Sequence, residues 1–132
     1  MIVDTSALIA ILRGESDAVS FAEAIENATV RRLSAMNYVE AAAVVEWSRD
    51  PVANRRFDDL LQQAGIVIED VTEKQARIAR DAYRDFGRGS GHPAKLNLGD
   101  CFAYALAKSA GEPLLFKGKD FAHTDVEPAI SQ

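Results

Sequence analysis

The chain has 132 residues, 48% apolar and 27% charged, which is the composition of a single soluble domain spanning residues 1–132. Its formal net charge of −5 argues against a simple DNA-binding module, but not against a nuclease that uses a bound cation. The apolar run at residues 7–12 is too short for a signal core or a membrane span. The single cysteine, Cys101, cannot form an internal disulfide, and we therefore expect a cytoplasmic protein with no membrane partner.

The first residues, MIVDTSAL, predict a short buried strand that ends in a carboxylate. Ile2 and Val3 lead directly into Asp4, and an apolar helical run begins with Thr5. Ligands of open α/β sheets bind at the carboxyl ends of the strands, which makes Asp4 a candidate site residue. Taken alone, Asp4 is also explained as the cap of the helix that follows.

Strand and helix signals alternate along the rest of the chain. Apolar and β-branched runs predict further strands at residues 29–33, 66–71 and 113–116. Apolar periodicity predicts helices at residues 6–12, 17–27, 35–49, 51–64, 73–86 and 98–110. Ser34 and Thr72 are predicted helix caps, and Pro51 is a predicted helix start. This order predicts an α/β fold, a three-layer α/β/α sandwich whose mainly parallel sheet has about four to five strands.

The third predicted helix carries Glu40 within its apolar pattern. At helical spacing one stripe of this helix is predicted to contain Met36, Glu40, Ala43, Val44 and Trp47. A carboxylate on an apolar face needs a partner. Glu40 is therefore either a functional acid or a residue at the rim of the core beside an arginine.

The last predicted helix begins with another carboxylate in the same kind of position. Asp100 is in register with Ala103, Tyr104 and Ala107, so it opens an apolar stripe. The alternative explanation is that the helix dipole favours an acid in the first turn. Asp100 therefore joins Asp4 and Glu40 as a candidate site residue.

The segment before that helix, residues 87–97, reads GRGSGHPAKLN and predicts a flexible, locally basic loop. It is either an exposed connector or a flap that guides phosphate groups toward the acids. Its basic residues Arg88 and Lys95 are candidates for contacts with substrate phosphates, as are Lys117 and Lys119 after the last strand. An ordinary solvated surface explains the lysines equally well.

The predicted acids need a positive charge close to them. Asp4 and either Asp120 or Asp125 follow strands whose carboxyl ends share one edge of a parallel sheet, where they can meet the two helix-borne acids. Close carboxylates raise one another's pKa unless a cation lies between them. The sequence has no cysteine cluster or closely spaced histidine pair for zinc, so oxygen ligands favour Mg²⁺, with Mn²⁺ as the alternative.

Four segments of the sequence resemble the PIN domain, specifically the VapC toxins of bacterial toxin–antitoxin pairs. They are MIVDTSAL at the start, MNYVEAA around Glu40, LNLGDCFAYALA around Asp100, and LLFKGKDF near the end. Each segment is short, but their combination at these distances is specific and covers essentially the whole chain. The resemblance predicts a single PIN-like nuclease domain over residues 1–132.

The resemblance also assigns roles to residues of this chain. Asp4, Glu40 and Asp100 match the first three catalytic acids, and Ser6 matches the hydroxyl that supports the first acid. Asp4 and Asp100 are expected to hold Mg²⁺, while Glu40 orients or deprotonates the attacking water. Gly118 aligns with the fourth acid of the family, so Asp120 is expected to serve instead, or Asp125 as a supporting acid, or the site runs on three acids.

The function implied by the resemblance is that of a Mg²⁺-dependent endoribonuclease toxin. A VapB-type antitoxin encoded beside it is expected to neutralise it, and a homodimer is expected. The RNA substrate is not specified by the sequence, although tRNA and ribosomal RNA are plausible.

Three other interpretations account for some of the same residues. A haloacid-dehalogenase-type phosphatase needs a second Asp two residues after the first, where this chain has Ser6. A receiver domain needs paired acids after the first strand, where Thr5 follows Asp4. A catalytically silent module that binds RNA or protein on the same fold would bind without cleaving, and its binding would survive the loss of Asp4 or Asp100.

Overall fold

The computed structural model describes residues 1–131 as strands and helices in alternation. The strands are β1 (Ile2–Val3), β2 (Arg31–Ser34), β3 (Ile66–Glu69) and β4 (Leu114–Leu115). The helices are α1 (Thr5–Leu12), α2 (Ala18–Asn27), α3 (Ala35–Trp47), α4 (Pro51–Gln63), α5 (Glu73–Phe86) and α6 (Leu98–Ala110). A 3₁₀ turn, Phe121–His123, follows β4.

The four strands form one parallel sheet in the order β3-β2-β1-β4, with helices on both faces. Side chains alternate across β1, so Ile2 packs with α5 and α6 whereas Val3 packs with α1 to α4. Both residues are fully buried, as expected for a central parallel strand. The predicted three-layer α/β/α sandwich is confirmed.

Local capping chemistry explains where several helices begin. Ser34 accepts a hydrogen bond from the backbone N–H of the second residue of α3, and Thr72 does the same for the third residue of α5. Asp50 caps α4, whose first residue is Pro51. These predicted helix starts are confirmed. The strands after β1 are shorter than predicted. β3 ends at Glu69 because β2, with which it pairs, leads directly into α3 after Ser34, the partner of Glu69.

The prediction of which side of α3 is buried is wrong. The structure buries Asn37, Ala41 and Val45, whereas Trp47 is 81% exposed. Apolar residues surround most of this helix, so periodicity alone did not fix its orientation. Glu40 consequently lies at the edge of the buried face and is half-buried rather than within a core stripe.

The segment between α5 and α6 is anchored, which corrects the prediction of a flexible loop. Ala94 and Leu96 are fully buried, and Leu96 forms a parallel bridge with Gly87. The ring of His92 packs edge-on against Phe86. These contacts hold the segment against the core formed by α5 and α6. No helix among residues 1–131 has the length and apolar character needed to cross a bilayer.

Candidate active site

Asp4 lies at the carboxyl end of β1, where the chain turns into α1. Its Oδ2 accepts hydrogen bonds from the backbone N–H of Ser6 at 3.0 Å and from the Ser6 hydroxyl at 2.6 Å. The side chain therefore caps α1, as one sequence interpretation proposed. Its Oδ1, however, is buried and has no hydrogen-bond partner among residues 1–131, which helix capping does not explain.

Asp100 lies in the first turn of α6 and also makes capping contacts. Asn97 Oδ1 accepts a hydrogen bond from the backbone N–H of Asp100 at 2.8 Å, and Asp100 Oδ2 accepts one from the N–H of Asn97 at 3.0 Å. This reciprocal pair is a capping box. Only one of the two Asp100 oxygens is used in it, so the other remains available to a ligand.

Glu40 reaches the same region from α3. Its Oε1 accepts a hydrogen bond from Asn37 Nδ2 at 3.3 Å. Its carboxylate packs directly on the backbone of Gly99, so closely that a side chain at position 99 would overlap it. Glu40 is therefore placed next to the residue that precedes Asp100.

The three acids line one open cleft at the edge of the sheet where β1 ends. Residues of α1, α3 and α6 contribute to its walls. Besides Asp4, Glu40 and Asp100, the lining residues are Thr5, Ser6, Ile9, Arg13, Glu15, Val44, Asn97 and Lys117. The predicted convergence of the acid after the first strand with the two helix-borne acids is present in the structure.

Burial, with a smaller contribution from neighbouring negative charge, raises the pKa of two of these carboxylates. Burial raises the pKa of Asp4 from 3.8 to about 6, and the charge of Glu40 adds to this effect. Burial also raises the pKa of Asp100 to about 7, with a further contribution from the charge of Asp4. A positive charge placed between these groups would stabilise their ionised forms.

These pKa values predict that the metal-free protein loses stability as the pH rises. Each folded-state pKa exceeds the ordinary value of 3.8, so between about pH 4 and pH 7 the folded protein binds more protons than the unfolded chain. For Asp4, a shift from 3.8 to about 6 corresponds to roughly 3 kcal/mol, present below pH 4 and lost by pH 7.

Urea unfolding of the wild type and of Asp4→Asn in EDTA, at about pH 5 and about pH 8, measures this contribution. We expect the variant to gain stability relative to the wild type at the higher pH. Mg²⁺ should restore wild-type stability there. A difference between the two proteins that does not change with pH would contradict the assignment.

The residues fit a divalent cation with oxygen ligands, although they do not form a closed protein cage. Among residues 1–131 no three histidine, cysteine or acidic side chains are arranged as a ready set of metal ligands. Mg²⁺ does not require such a set, because it keeps several waters and binds through one or two carboxylates plus substrate phosphate. The unpaired, buried Oδ1 of Asp4 supplies a position that a cation would fill.

The two acids predicted after β4 have different surroundings. Asp120 is exposed, and its charge contributes to the raised pKa of Asp100, so it lies within electrostatic reach of the cleft. Asp125 does not line the cleft. Its two oxygens accept hydrogen bonds from Tyr104 Oη at 2.6 Å and Lys108 Nζ at 2.9 Å. These contacts tie Asp125 to α6 and lower its pKa.

We expect this Asp125 contact to contribute to stability rather than to catalysis. Tyr104→Phe removes the hydroxyl and should lower the free energy of unfolding by about 1–2 kcal/mol. RNA cleavage should stay within about twofold of wild type. Asp125→Asn should give the same pattern. A tenfold loss of cleavage in Asp125→Asn, with Tyr104→Phe unaffected, would return Asp125 to the list of catalytic candidates.

Among the predicted phosphate contacts, only Lys117 lines the cleft. Its Nζ pairs with Glu15 at 2.8 Å and Asp17 at 3.2 Å, and its backbone N–H donates to Ser6 Oγ. Arg88, Lys95 and Lys119 are exposed and do not line the cleft. Arg13, an exposed cation that also lines the cleft, was not among the predicted contacts; its place directly after α1, one helix beyond Asp4, was the available signal.

Solved structures with the same architecture include a chain of a bacterial toxin–antitoxin complex and a bacterial toxin. A toxin–antitoxin complex from Klebsiella pneumoniae matches with a TM-score of 0.70 at 20% identity, over 92% of this chain and 89% of that one. VapC20 of Mycobacterium tuberculosis, described as a sarcin–ricin loop cleaving toxin, matches with a TM-score of 0.71 at 17% identity, over 96% and 98%. At these identities the likeness concerns the fold.

Sequence comparison adds relatives at much higher identity. The family model for the PIN domain matches residues 1–127. Ribonuclease VapC28 of Mycobacterium tuberculosis is 60% identical over 132 residues, covering 100% of this chain and 99% of the relative. Ribonuclease VapC42 of the same species is 56% identical over 131 residues, covering 99% and 100%. The chain therefore belongs to the PIN-domain family, among the VapC-type ribonucleases.

Proposed function

We propose that this chain is a type II toxin that acts as an endoribonuclease and hydrolyses RNA phosphodiester bonds with a divalent cation, Mg²⁺ or alternatively Mn²⁺. The observation that carries the proposal is the buried, unpaired Oδ1 of Asp4 beside Asp100 and Glu40. A buried carboxylate oxygen without a donor is destabilising unless a cation or a donor binds it. Relatives named as ribonucleases over the full length support RNA as the substrate.

Asp4 and Asp100 would hold the cation. The Ser6 hydroxyl and N–H occupy Asp4 Oδ2, which leaves Oδ1 as the oxygen directed to a ligand. The capping contact with Asn97 similarly uses one Asp100 oxygen and fixes the carboxylate plane. When bound, Mg²⁺ supplies positive charge that offsets the carboxylates and the scissile phosphate and makes the attacking water more acidic.

Glu40 is the acid best suited to act on the attacking water. It reaches the cleft from α3, whereas Asp4 follows β1 and Asp100 lies in α6. We assign Glu40 to orienting or deprotonating the water. Its hydrogen bond from Asn37 holds the carboxylate in one orientation in the cleft.

The basic side chains at the cleft are the proposed contacts for RNA phosphates. Arg13 and Lys117 line it directly. Lys117 is already paired with Glu15 and Asp17, so a phosphate would have to compete with those carboxylates. We therefore expect Arg13 to contribute more to RNA affinity than Lys117.

Cleavage of a mixed RNA panel tests the proposed function. Purified protein is incubated with tRNA and ribosomal RNA fragments in Mg²⁺, Mn²⁺ or EDTA, and Asp4→Asn serves as the control for contaminating ribonuclease. We expect cleavage that requires both the metal and Asp4. Binding of RNA without cleavage in any metal, by protein free of antitoxin, would support a silent binding module instead.

We propose that a VapB-type antitoxin neutralises the protein by covering a groove next to the cleft. Apolar side chains of α1, α3 and α4 line this groove between Arg13 and Arg56; they belong to Ile9, Leu12, Val44, Val45 and Ala53. Ile9, Arg13 and Val44 also line the acidic cleft, so a segment in the groove can continue into it. A solved toxin–antitoxin complex of the same fold supports an antitoxin partner.

The groove proposal predicts separate effects on binding and on cleavage. Leu12→Glu places a charge in the apolar groove and should weaken antitoxin binding by at least about 100-fold while cleavage persists. Val19→Glu, at an exposed site on α2 outside the groove, is the control. Binding by the product of the neighbouring gene is measured by calorimetry. Equal affinity of Leu12→Glu and the control would exclude this groove.

A homodimer and a cytoplasmic location are also proposed, from the resemblance to VapC toxins. Light scattering on the purified protein measures the oligomeric state directly. We expect a mass close to twice the 14.4 kDa of one chain. A single-chain mass at micromolar concentration would contradict the dimer.

A further inference from the structure

Asn37 is a buried residue that contacts Glu40 and the residues that adjoin Asp4 and Asp100 in the sequence. It lies on α3, one turn before Glu40, and is fully buried. Its Nδ2 donates to the carbonyl oxygen of Gly99 at 3.0 Å and to Glu40 Oε1 at 3.3 Å. The backbone carbonyl oxygen of Asn37 accepts a hydrogen bond from Thr5 Oγ1 at 3.3 Å. One residue thus connects α1, α3 and α6.

The partners of Asn37 are the residues that carry or adjoin the acids. Thr5 directly follows Asp4, and Gly99 directly precedes Asp100. The third partner is the Glu40 carboxylate itself. Movement of α3 against the other two elements would therefore change the spacing of all three acids, and the Asn37 contacts oppose that movement.

The chemistry of the Asn37 side chain favours positioning over stability as its role. Both partners of its side chain are oxygen acceptors, so the nitrogen of the amide must face them, which fixes the amide orientation. The amide oxygen is then buried without a partner in the described part of the chain. An unpaired buried amide oxygen is destabilising, and an apolar side chain of the same shape would avoid it.

We propose that Asn37 is a positioning residue whose side chain, through Glu40 and the Gly99 carbonyl oxygen, sets the spacing of Glu40 and Asp100 beside Asp4 and thereby the affinity of the acids for a divalent cation. The inference rests on the proposed function for the divalent cation and not for the identity of the reaction. Substitution of Asn37 should change cation affinity and turnover. RNA affinity should stay unchanged, because Asn37 is buried and does not line the cleft.

Two variants at this position separate the contacts from the volume. Asn37→Ala removes the amide and leaves a space, whereas Asn37→Leu keeps the branching at Cγ, is larger than Asn and has no donor, so a loss shared by both variants is caused by the missing amide contacts. Phe21→Leu is the matched control, because it disturbs a buried core residue of α2 that does not line the cleft. The three variants and the wild type are compared by calorimetric titration of Mn²⁺ into metal-free protein, by thermal unfolding and by cleavage kinetics.

We expect both Asn37 variants to bind Mn²⁺ about 10–100-fold more weakly than wild type, with kcat reduced by a similar factor and KM for RNA within about threefold. Phe21→Leu should lower the melting temperature without changing Mn²⁺ affinity. Wild-type Mn²⁺ affinity and kcat in a folded Asn37→Leu variant would overturn the proposal.

The metal titration also distinguishes this inference from the proposed function. If the wild type binds Mn²⁺ but cleaves no RNA, the nuclease proposal fails, and the affinity ratio of the Asn37 variants still decides the positioning role. If the wild type cleaves RNA with its metal and Asn37→Leu matches it in both readouts, the positioning role fails alone. If the wild type binds no divalent cation, both are overturned.

Discussion

Asp100→Asn should reduce RNA cleavage by at least about 100-fold, because removal of residues that merely orient metal ligands already costs 10–100-fold in other proteins. The variant should remain folded. An Asn side chain can still accept the hydrogen bond from the Asn97 N–H, so the start of α6 keeps its cap. Replacing the carboxyl by an amide also removes a group whose pKa is raised to about 7 by burial.

Cleavage is measured under single-turnover conditions with saturating Mg²⁺, and folding is checked by thermal unfolding in EDTA. We expect the melting temperature at about pH 8 to be equal to or above that of wild type, because the variant no longer ionises a buried acid. Asp59→Asn, at an exposed acid on α4, controls for the loss of one negative charge. Full activity in Asp100→Asn would remove Asp100 from the proposed role.

Gly99→Ala should produce the second large loss, through Glu40. A Cβ at position 99 would overlap the Glu40 carboxylate, with Cδ only 2.6 Å away. The carboxylate must therefore move, and a displacement of about 1 Å in an active site can reduce the rate by roughly 100-fold. Alanine is otherwise favoured over glycine in a helix, so little intrinsic destabilisation of α6 is expected.

A double-mutant cycle isolates this cause. Glu40→Ala removes the carboxylate that the new methyl group meets, so Gly99→Ala should have almost no further effect on cleavage in that background. The rates of the wild type, the two single variants and the double variant are compared in Mg²⁺. If the two losses multiplied in the double variant, the steric explanation through Glu40 would be wrong.

Local sequence patterns were sufficient to predict the positions of the acids that depend on one strand or one helix. Asp4 follows a β-branched pair and precedes a helix, so its place at a strand end follows from its neighbours. Asp100 opens a helix whose apolar stripe starts with it. In both cases the capping contacts are compatible with the proposed role, because each carboxylate uses one oxygen for the helix.

Contacts between distant segments account for what the sequence did not predict. Asn37 meets Gly99 across 62 positions, and nothing in the helix around Asn37 marks that partner. The orientation of α3 was also mispredicted, since its exposed Trp47 suits a core by composition alone. Which acid after β4 approaches the cleft depends on the turn at Gly118, with φ +98°, and on the 3₁₀ turn that follows. Such turn geometry is not encoded in residue periodicity.

Binding of Mn²⁺ to metal-free protein, measured by calorimetry at about pH 8, is compared between the wild type and Asp4→Asn. The comparison tests whether the acids at the carboxyl end of β1 hold a divalent cation. We expect the wild type to bind Mn²⁺ and Asp4→Asn to bind it at least about tenfold more weakly, because the variant replaces the unpaired buried carboxylate by a neutral amide. Equal Mn²⁺ affinity in the two folded proteins would contradict the claim.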